Sequence, residues 1–277
     1  MPGSLSDGIR AFVRRHGLAK YIRPHQTIAG AMRRRYYEKH KPAEVELECD
    51  GLKITVAGIS EASDYALIKS DKDHHLVRFF LNALKDGGVF WDIGANIGVY
   101  SLFMGKLMKD TGSVVSFEPE PRSRGFLQSN VTRMGLTNVR VVPAALSSSS
   151  GKMSMNIAYS AAAGYHSLVA EGAETAANSG TIQVDVLTGD EAVTRDQLPT
   201  PTAIKIDVEG FELDVLKGMP SCLKNPSLKA VLIEVHFAAL AGRNMPRAHY
   251  EIEELLVGSG LSMIKWLDRS HITARRP

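Results

Sequence analysis

Cysteine is scarce in this chain: there are two in 277 residues, Cys49 and Cys222, far apart and with no Cys-x-x-Cys pair. That spacing spells out neither a zinc cage nor a redox couple, and the two read as buried thiols in a reducing compartment. Long apolar runs are missing as well. A membrane-spanning helix needs about 18–20 consecutive apolar residues, and the richest stretch, Ala230 to Ala241, is broken by Glu234 and His236. The N-terminal segment lacks the apolar centre of a secretory signal, because Arg10, Arg14, Arg15 and Lys20 interrupt it. Net charge is small: 33 Lys and Arg against 30 Asp and Glu leave +3, too near balance to argue for nucleic acid. What is present, 44% hydrophobic and 23% charged residues, excludes a disordered chain, a collagen-like repeat and a disulfide scaffold. A cytoplasmic, enzyme-sized chain is expected.

The charge is unevenly spread. Between Ile9 and Lys41 stand ten Lys or Arg and one acid, Glu38. Leu5, Ile9, Phe12 and Val13, then Ile28, Met32 and Tyr36, recur at helical spacing around them. Two basic amphipathic helices broken near Pro24 fit, and residues 1–44 are expected as a helical extension ahead of a catalytic domain over 45–277. The extension covers one side of that domain or, as an alternative, makes peripheral contact with an anionic membrane through residues 9–41.

From Val45 the period becomes two. Val45–Cys49 and Leu52–Val56, joined by Asp50-Gly51, predict a hairpin. An apolar helical face over Leu76, Val77, Phe79, Phe80, Ala83 and Leu84 stops at Gly87-Gly88. Strands at Val89–Trp91, Val114–Phe117, Val139–Val142, Ala203–Ile206 and Ala230–Val235 then alternate with helices. Such alternation needs crossovers, hence an α/β fold: a doubly wound, mainly parallel, Rossmann-like sheet behind a β-hairpin lead-in. Residues 158–180 interrupt it with 14 Ala, Gly or Ser of 23, between strand-like pieces at 152–157 and 181–187. A lid-like insertion spanning 152–187 is expected.

The strongest chemical signal is the strand-turn-helix Asp92-Ile-Gly94-Ala95-Asn96-Ile-Gly98-Val-Tyr-Ser101. Glycines let backbone approach a ligand, and the helix start offers unpaired N–H groups. A carboxylate at Asp92 opposes a pyrophosphate, and the spacing fails Gly-x-Gly-x-x-Gly, which argues against a Rossmann-type dehydrogenase. S-adenosyl-L-methionine offers an ammonium and a sulfonium instead. Glu118, at the end of the second strand and followed by Pro119, sits where such folds hold a ribose diol.

These motifs, with Phe117-Glu-Pro-Glu-Pro, Asn138-Val-Arg-Val-Val-Pro-Ala-Ala-Leu-Ser and Ile204-Lys-Ile-Asp-Val-Glu-Gly-Phe-Glu, together resemble the FkbM-type methyltransferase family from about Phe79 to about Phe237. The resemblance implies a class I, S-adenosylmethionine-dependent enzyme that methylates a hydroxyl on a sugar-containing or secondary metabolite. Asp92, Gly94, Ala95, Asn96, Gly98, Ser101, Glu118 and Pro119 are the candidate cofactor residues.

Lys205-Ile-Asp207-Val-Glu209-Gly-Phe-Glu212 places Asp207 across the crevice from Asp92 if the doubly wound order holds. Methyl transfer to a hydroxyl needs positioning and a proton acceptor. Asp207, Glu209 and His236 are the catalytic candidates, with Asp207 favoured over His236 as base. A near-neutral histidine is otherwise the natural base. Glu212 is read as structural. Asp207, Glu209, Glu234 and His236 also form a loose cluster into which magnesium would fit, but nothing in the spacing demands a metal and none is expected. The rival from another class is a membrane-associated binding module that works through the basic N-terminal helices.

Overall fold

A computed structural model of the chain describes residues 43–58, 74–157, 167–169 and 180–277. The expected basic helices within 1–44, and with them the membrane-contact segment 9–41, lie outside the described residues, as does most of the segment 158–180.

The hairpin forms as its alternation requires. Strands β1 (Glu44–Cys49) and β2 (Leu52–Ala57) pair antiparallel, with Cys49 opposite Leu52. Asp50 and Gly51 turn between them with φ of 50° and 80°, the double positive φ of a tight primed turn. Val45, Leu47, Cys49, Ile54 and Val56 all point to the buried face. The hairpin is tied to the body by Asn130, which accepts from Ala57 N at 3.0 Å and donates to Ala57 O at 3.1 Å and Ile97 O at 3.0 Å.

After α1 (His74–Ala83) the chain alternates: β3 (Gly88–Ile93), α2 (Val99–Leu107), β4 (Gly112–Phe117), α3 (Pro121–Arg133) and β5 (Val139–Val142). Beyond an insertion it resumes with β10 (Ala203–Ile206), α5 (Glu212–Lys217), α6 (Pro220–Lys224) and β11 (Ala230–Glu234). It finishes with α7 (Phe237–Gly242), α8 (Ala248–Gly258), β12 (Met263–Trp266) and β13 (His271–Arg275). The seven-stranded sheet runs β12-β13-β11-β10-β3-β4-β5. The five inner and β5-side strands are parallel, while β13 runs antiparallel to both β11 and β12. The C-terminal hairpin β12–β13 extends the sheet beyond the strands read from the sequence.

Both faces of the sheet are covered, as a parallel sheet requires. Trp91, Ile93, Phe117, Ile204 and Ile206 face a core shared with Leu213, Leu216, Leu223, Ile252 and Leu256 from α5, α6 and α8. Phe90, Val114 and Leu232 point the other way, onto Leu76, Phe80, Leu102 and Phe103 from α1 and α2 and onto the hairpin's Ile54 and Val56. Cys49 and Cys222 are buried in different cores, so their thiols pack as small apolar groups.

The insertion builds its own sheet. β6 (Ala144–Leu146), β7 (Gly151–Ile157), β8 (Ser167–Leu168) and β9 (Gly180–Leu187), followed by α4 (Gly189–Thr194), give the order β6-β9-β7-β8. Ala145, Met155, Leu168, Val184 and Val186 close a small core with Phe211. Phe211 follows the Asp207–Gly210 turn, so this second sheet is anchored to the loop that carries the catalytic candidates.

Candidate active site

Because β3 and β10 are neighbours although an insertion separates them in sequence, the strand order reverses between them. Ligands of doubly wound sheets bind in the crevice outside the carboxyl ends of the strands at such a point. Asp92 lies opposite Lys205 and Ile93 opposite Ile206, so the cofactor turn and the Asp207 loop leave the sheet side by side.

The turn from β3 into α2 is held from below. Gly94 N and Ala95 N donate to Phe117 O at 3.1 and 3.0 Å, and Gly98 caps α2 with φ 95°. Gly94 has φ 78°, and a Cβ there would stand 1.8 Å from Asp207 O. Only glycine allows the two loops to approach this closely.

Asp92 is fully buried. Its Oδ2 accepts from Ser101 N at 3.0 Å and Ser101 Oγ at 2.6 Å, and Ser101 Oγ touches Ser116 Oγ at 2.7 Å. Its Oδ1 lies 3.5 Å from Lys205 Nζ. Asp92 and Ser101 are thereby tied together, while Asp92 Oδ1 is buried without a hydrogen-bond partner among the described residues. Lys205 is equally buried and reaches three partners: Gly94 O at 3.0 Å, Asp207 Oδ2 at 3.2 Å and Asp92 Oδ1. Burial alone would lower its pKa, but Asp207 and Asp92 raise it, so it stays an ammonium. Sequence reasoning gave Lys205 no role, although a lysine inside an otherwise apolar parallel strand was the available signal. Its charge also compensates Asp92, so repulsion of a pyrophosphate by Asp92 carries less weight than the sequence suggested.

Glu118 sits at the end of β4 and is 5% exposed. Its Oε2 accepts from Asn96 N and its Oε1 from Glu120 N, both at 2.8 Å. Burial pushes its pKa up to about 7 against the pull of those two N–H groups. Pro119 leads to Glu120, which caps α3 by accepting from Arg122 N at 2.9 Å and Ser123 N at 2.6 Å. Gly94, Ala95, Asn96, Gly98, Glu118 and Pro119 are thus brought together at the ends of β3 and β4.

On the other side, Asp207 leaves β10 with its N–H on Ile93 O at 3.0 Å. Glu209 and Gly210 take φ of 52° and 96°, turning the chain so that Glu209 faces back. His236 follows β11 and caps α7. Its Nδ1 is 2.8 Å from Glu212 Oε1, while Nε2 lies 3.3 Å from Glu209 Oε2, 3.8 Å from Asp207 Oδ1 and 4.0 Å from Glu234 Oε1. Glu212 is fully buried and its Oε1 also accepts from Gly210 N at 2.8 Å, so the structural role read for it is exercised through the histidine.

The expectation of a near-neutral imidazole does not hold in this setting. Burial would lower the pKa of His236, but hydrogen bonds to Glu209 and Glu212 push it up to about 11. Asp207 moves the other way: burial would raise it, but Lys205 and His236 hold it below the usual carboxylate range. His271 on β13 was missed, because it lies beyond the motifs. Its Nε2 is 3.4 Å from Glu234 Oε2 and its Nδ1 2.9 Å from Asp268 Oδ2. Burial opposes its charge, but Glu234 and Asp268 lift its pKa to about 8.

Residues 92–265 match the family model of the methyltransferase FkbM domain. The chain belongs to the FkbM methyltransferase family. The match runs well past Phe237 and takes in α8 and β12. Among relatives, the hexuronic acid methyltransferase AglP of Haloferax volcanii is 32% identical over 197 residues, covering 70% of this chain and 74% of that protein. Methyltransferase sdnD of Sordaria araneosa is 32% identical over 154 residues, 46% of this chain and 59% of that one. Among solved structures, methyltransferase FkbM from Methylobacillus flagellatus shares 15% identity at a TM-score of 0.47, covering 69% of this chain and 44% of that chain.

This FkbM-domain protein is therefore an S-adenosylmethionine-dependent methyltransferase, and the dehydrogenase and binding-module readings lose their support. The residues present suit that cofactor. A carboxylate has room for about four hydrogen bonds, and each Glu118 oxygen accepts one backbone N–H. A lone pair on each oxygen is left for one hydroxyl of a ribose diol. No helix among the described residues is long and apolar enough to cross a membrane.

Proposed function

We propose that this methyltransferase acts on a hydroxyl of a sugar acceptor. The observation that carries the reading is the convergence of Asp207, Glu209, Glu234 and His236 at the carboxyl ends of β10 and β11, beside the Gly94–Gly98 turn. The 32% identity to a hexuronic acid methyltransferase supports a sugar as the acceptor class.

The cofactor, when bound, supplies an electrophilic methyl group. Glu118 takes the ribose diol, and Gly94, Ala95, Asn96 and Gly98 shape the turn against it, with Pro119 starting the next loop. Asp92 is a positioning residue: through Ser101 it fixes the start of α2, and through Lys205 it fixes Asp207. Asp207 accepts the proton of the acceptor hydroxyl. Lys205 and His236 keep Asp207 ionised, and the geometry supplies orientation. Glu209 and His236 hold the hydroxyl in place, and Glu212 fixes the ring of His236.

The test is turnover of Asp207→Asn with a hydroxylated sugar acceptor, alongside S-adenosylhomocysteine binding. A loss of about 10²–10⁴ in rate with binding retained is expected. Near wild-type turnover in the folded variant removes Asp207 from the chemistry. We also propose that residues 9–41 contact anionic membrane, on the charge count alone. Salt-sensitive co-sedimentation with phosphatidylserine vesicles that persists after deletion of residues 1–40 would refute it.

A further inference from the structure

We propose that Asp207, Glu209 and His236 bind a divalent cation, magnesium or manganese, whose remaining positions take oxygens of the acceptor. Methyl transfer itself does not call for a metal, and the cluster does more than the proposed proton transfer requires.

The first observation is geometric. One ligand atom from each of the three residues lies within 4.8 Å of the other two. A hard cation with bonds of about 2.1 Å in octahedral geometry places adjacent ligand atoms about 3 Å apart and opposite ones about 4.2 Å apart. His236 Nε2 is 3.3 Å from Glu209 Oε2 and 3.8 Å from Asp207 Oδ1, between those limits. Glu234 Oε1, 4.0 Å from the same nitrogen, stands near enough to bind through a water.

The second observation concerns the imidazole. Glu212 is wholly buried, and its carboxylate is aimed at His236 Nδ1 from 2.8 Å. Its Oε2 has no hydrogen-bond partner among the described residues. A buried carboxylate behind one ring nitrogen keeps a proton on that side, and a cation arriving at the other nitrogen takes the place of the proton that the imidazolium carries there. Metal-ligating histidines are held in this way. Here the other nitrogen is the one that faces Asp207 and Glu209.

The third observation is charge. Asp207, Glu209, Glu212 and Glu234 all lie within 4.0 Å of the one imidazole. Of the cations facing them, the His236 imidazolium is shared among all four, Lys205 on β10 is shared with buried Asp92, and His271 on β13 is occupied by Glu234 and Asp268. Negative charge is in excess on the crevice side, where Asp207 and Glu209 side chains keep 31% and 19% exposure. Three protein ligands on one side leave the solvent side of an octahedral ion open. Two neighbouring hydroxyls of a sugar fit those positions, and the ion both orients the reacting oxygen and polarises it.

Cation binding is tested on its own, and only its catalytic use rests on the methyl-transfer reading. Full-length protein stripped with chelator is titrated with Mn²⁺, followed by calorimetry and by the electron paramagnetic resonance signal of free Mn²⁺. One saturable site is expected in the wild type, weakened about tenfold or more in Asp207→Asn, Glu209→Gln and His236→Ala. S-adenosylhomocysteine binding in the same variants reports that they are folded. Absence of a site in the wild type, or equal Mn²⁺ binding in all three folded variants, overturns the proposal. Methylation unchanged in excess chelator, with no Mn²⁺ site, removes the cation and leaves the methyltransferase reading intact. An Mn²⁺ site weakened in the variants, without methylation of any hydroxylated sugar, supports the cation site and counts against the acceptor reading.

Discussion

Replacing Lys205 by methionine separates structural from catalytic electrostatics in this site. The ammonium is 7% exposed and lies 3.5 Å from Asp92 and 3.2 Å from Asp207, with a third bond to Gly94 O. Methionine fills much of the volume but leaves Asp92, 1% exposed, as a buried charge without a counter-ion. Removing one partner of a buried pair costs about 3–5 kcal/mol. For a domain of this size each kcal/mol moves Tm by roughly 2–4 °C, so a fall of roughly 6–20 °C is expected in a melt followed by circular dichroism. Lys205→Met combined with Asp92→Asn should recover much of the loss, since asparagine still accepts from Ser101 without carrying a charge. A single variant melting within about 2 °C of wild type, or a double variant falling by the sum of the two single losses, would refute the pairing.

Glu118→Gln should weaken S-adenosylhomocysteine binding by about 1.5–3 kcal/mol, roughly 10–150-fold by calorimetry, because charge-assisted hydrogen bonds to the diol are lost. The folded pKa of Glu118 is raised from 4.5 to about 7, so the wild type loses stability as pH rises between those values, by an amount on the order of 3 kcal/mol. The Tm of Glu118→Gln relative to wild type should therefore be more favourable at pH 8 than at pH 4, and an equal difference at both would contradict the burial argument. Gly94→Ala should cost about 2 kcal/mol or more in denaturant unfolding, since its Cβ would strike Asp207 O in a left-handed conformation. An alanine variant of wild-type stability would mean that the two loops stand further apart.

Much of the fold was legible because the physics that forms it is local. Period-two alternation with Asp50-Gly51 makes the β1–β2 hairpin, and buried runs of a few apolar residues between helices make β3, β4, β10 and β11. The cofactor turn was legible because glycine spacing reports positive φ. What escaped depended on partners distant in sequence. β6 is three residues long, Ala144–Leu146, and is defined by pairing with β9 across about forty residues. Two strands of the second sheet were legible as the pieces at 152–157 and 181–187, but the small-residue segment between them hid that they pair. β12 and β13 are short strands that acquire meaning only by extending a sheet whose other members were already in place. In the site, Asp207, Glu209 and His236 do meet, as the strand order implied. The histidine's protonation state did not follow from its identity, because three carboxylates on the neighbouring segment of chain, Glu209, Glu212 and Asp207, set it. Lys205 was overlooked because one of its acidic partners, Asp92, sits on another strand.

The central claim is methyl transfer to a sugar hydroxyl, and the most direct measurement uses S-adenosylmethionine carrying a ¹³C-labelled methyl group. Purified full-length protein is incubated with a panel of hexuronic acid and neutral hexose glycosides, with Mg²⁺ present. Products are read by mass spectrometry and by the carbon shift of the transferred methyl. The account predicts a gain of one methyl on at least one sugar, with the shift of a methyl ether, and its disappearance in Asp207→Asn. A protein that binds S-adenosylhomocysteine but transfers the label to nitrogen, carbon or sulfur, or to none of the sugars, would contradict it.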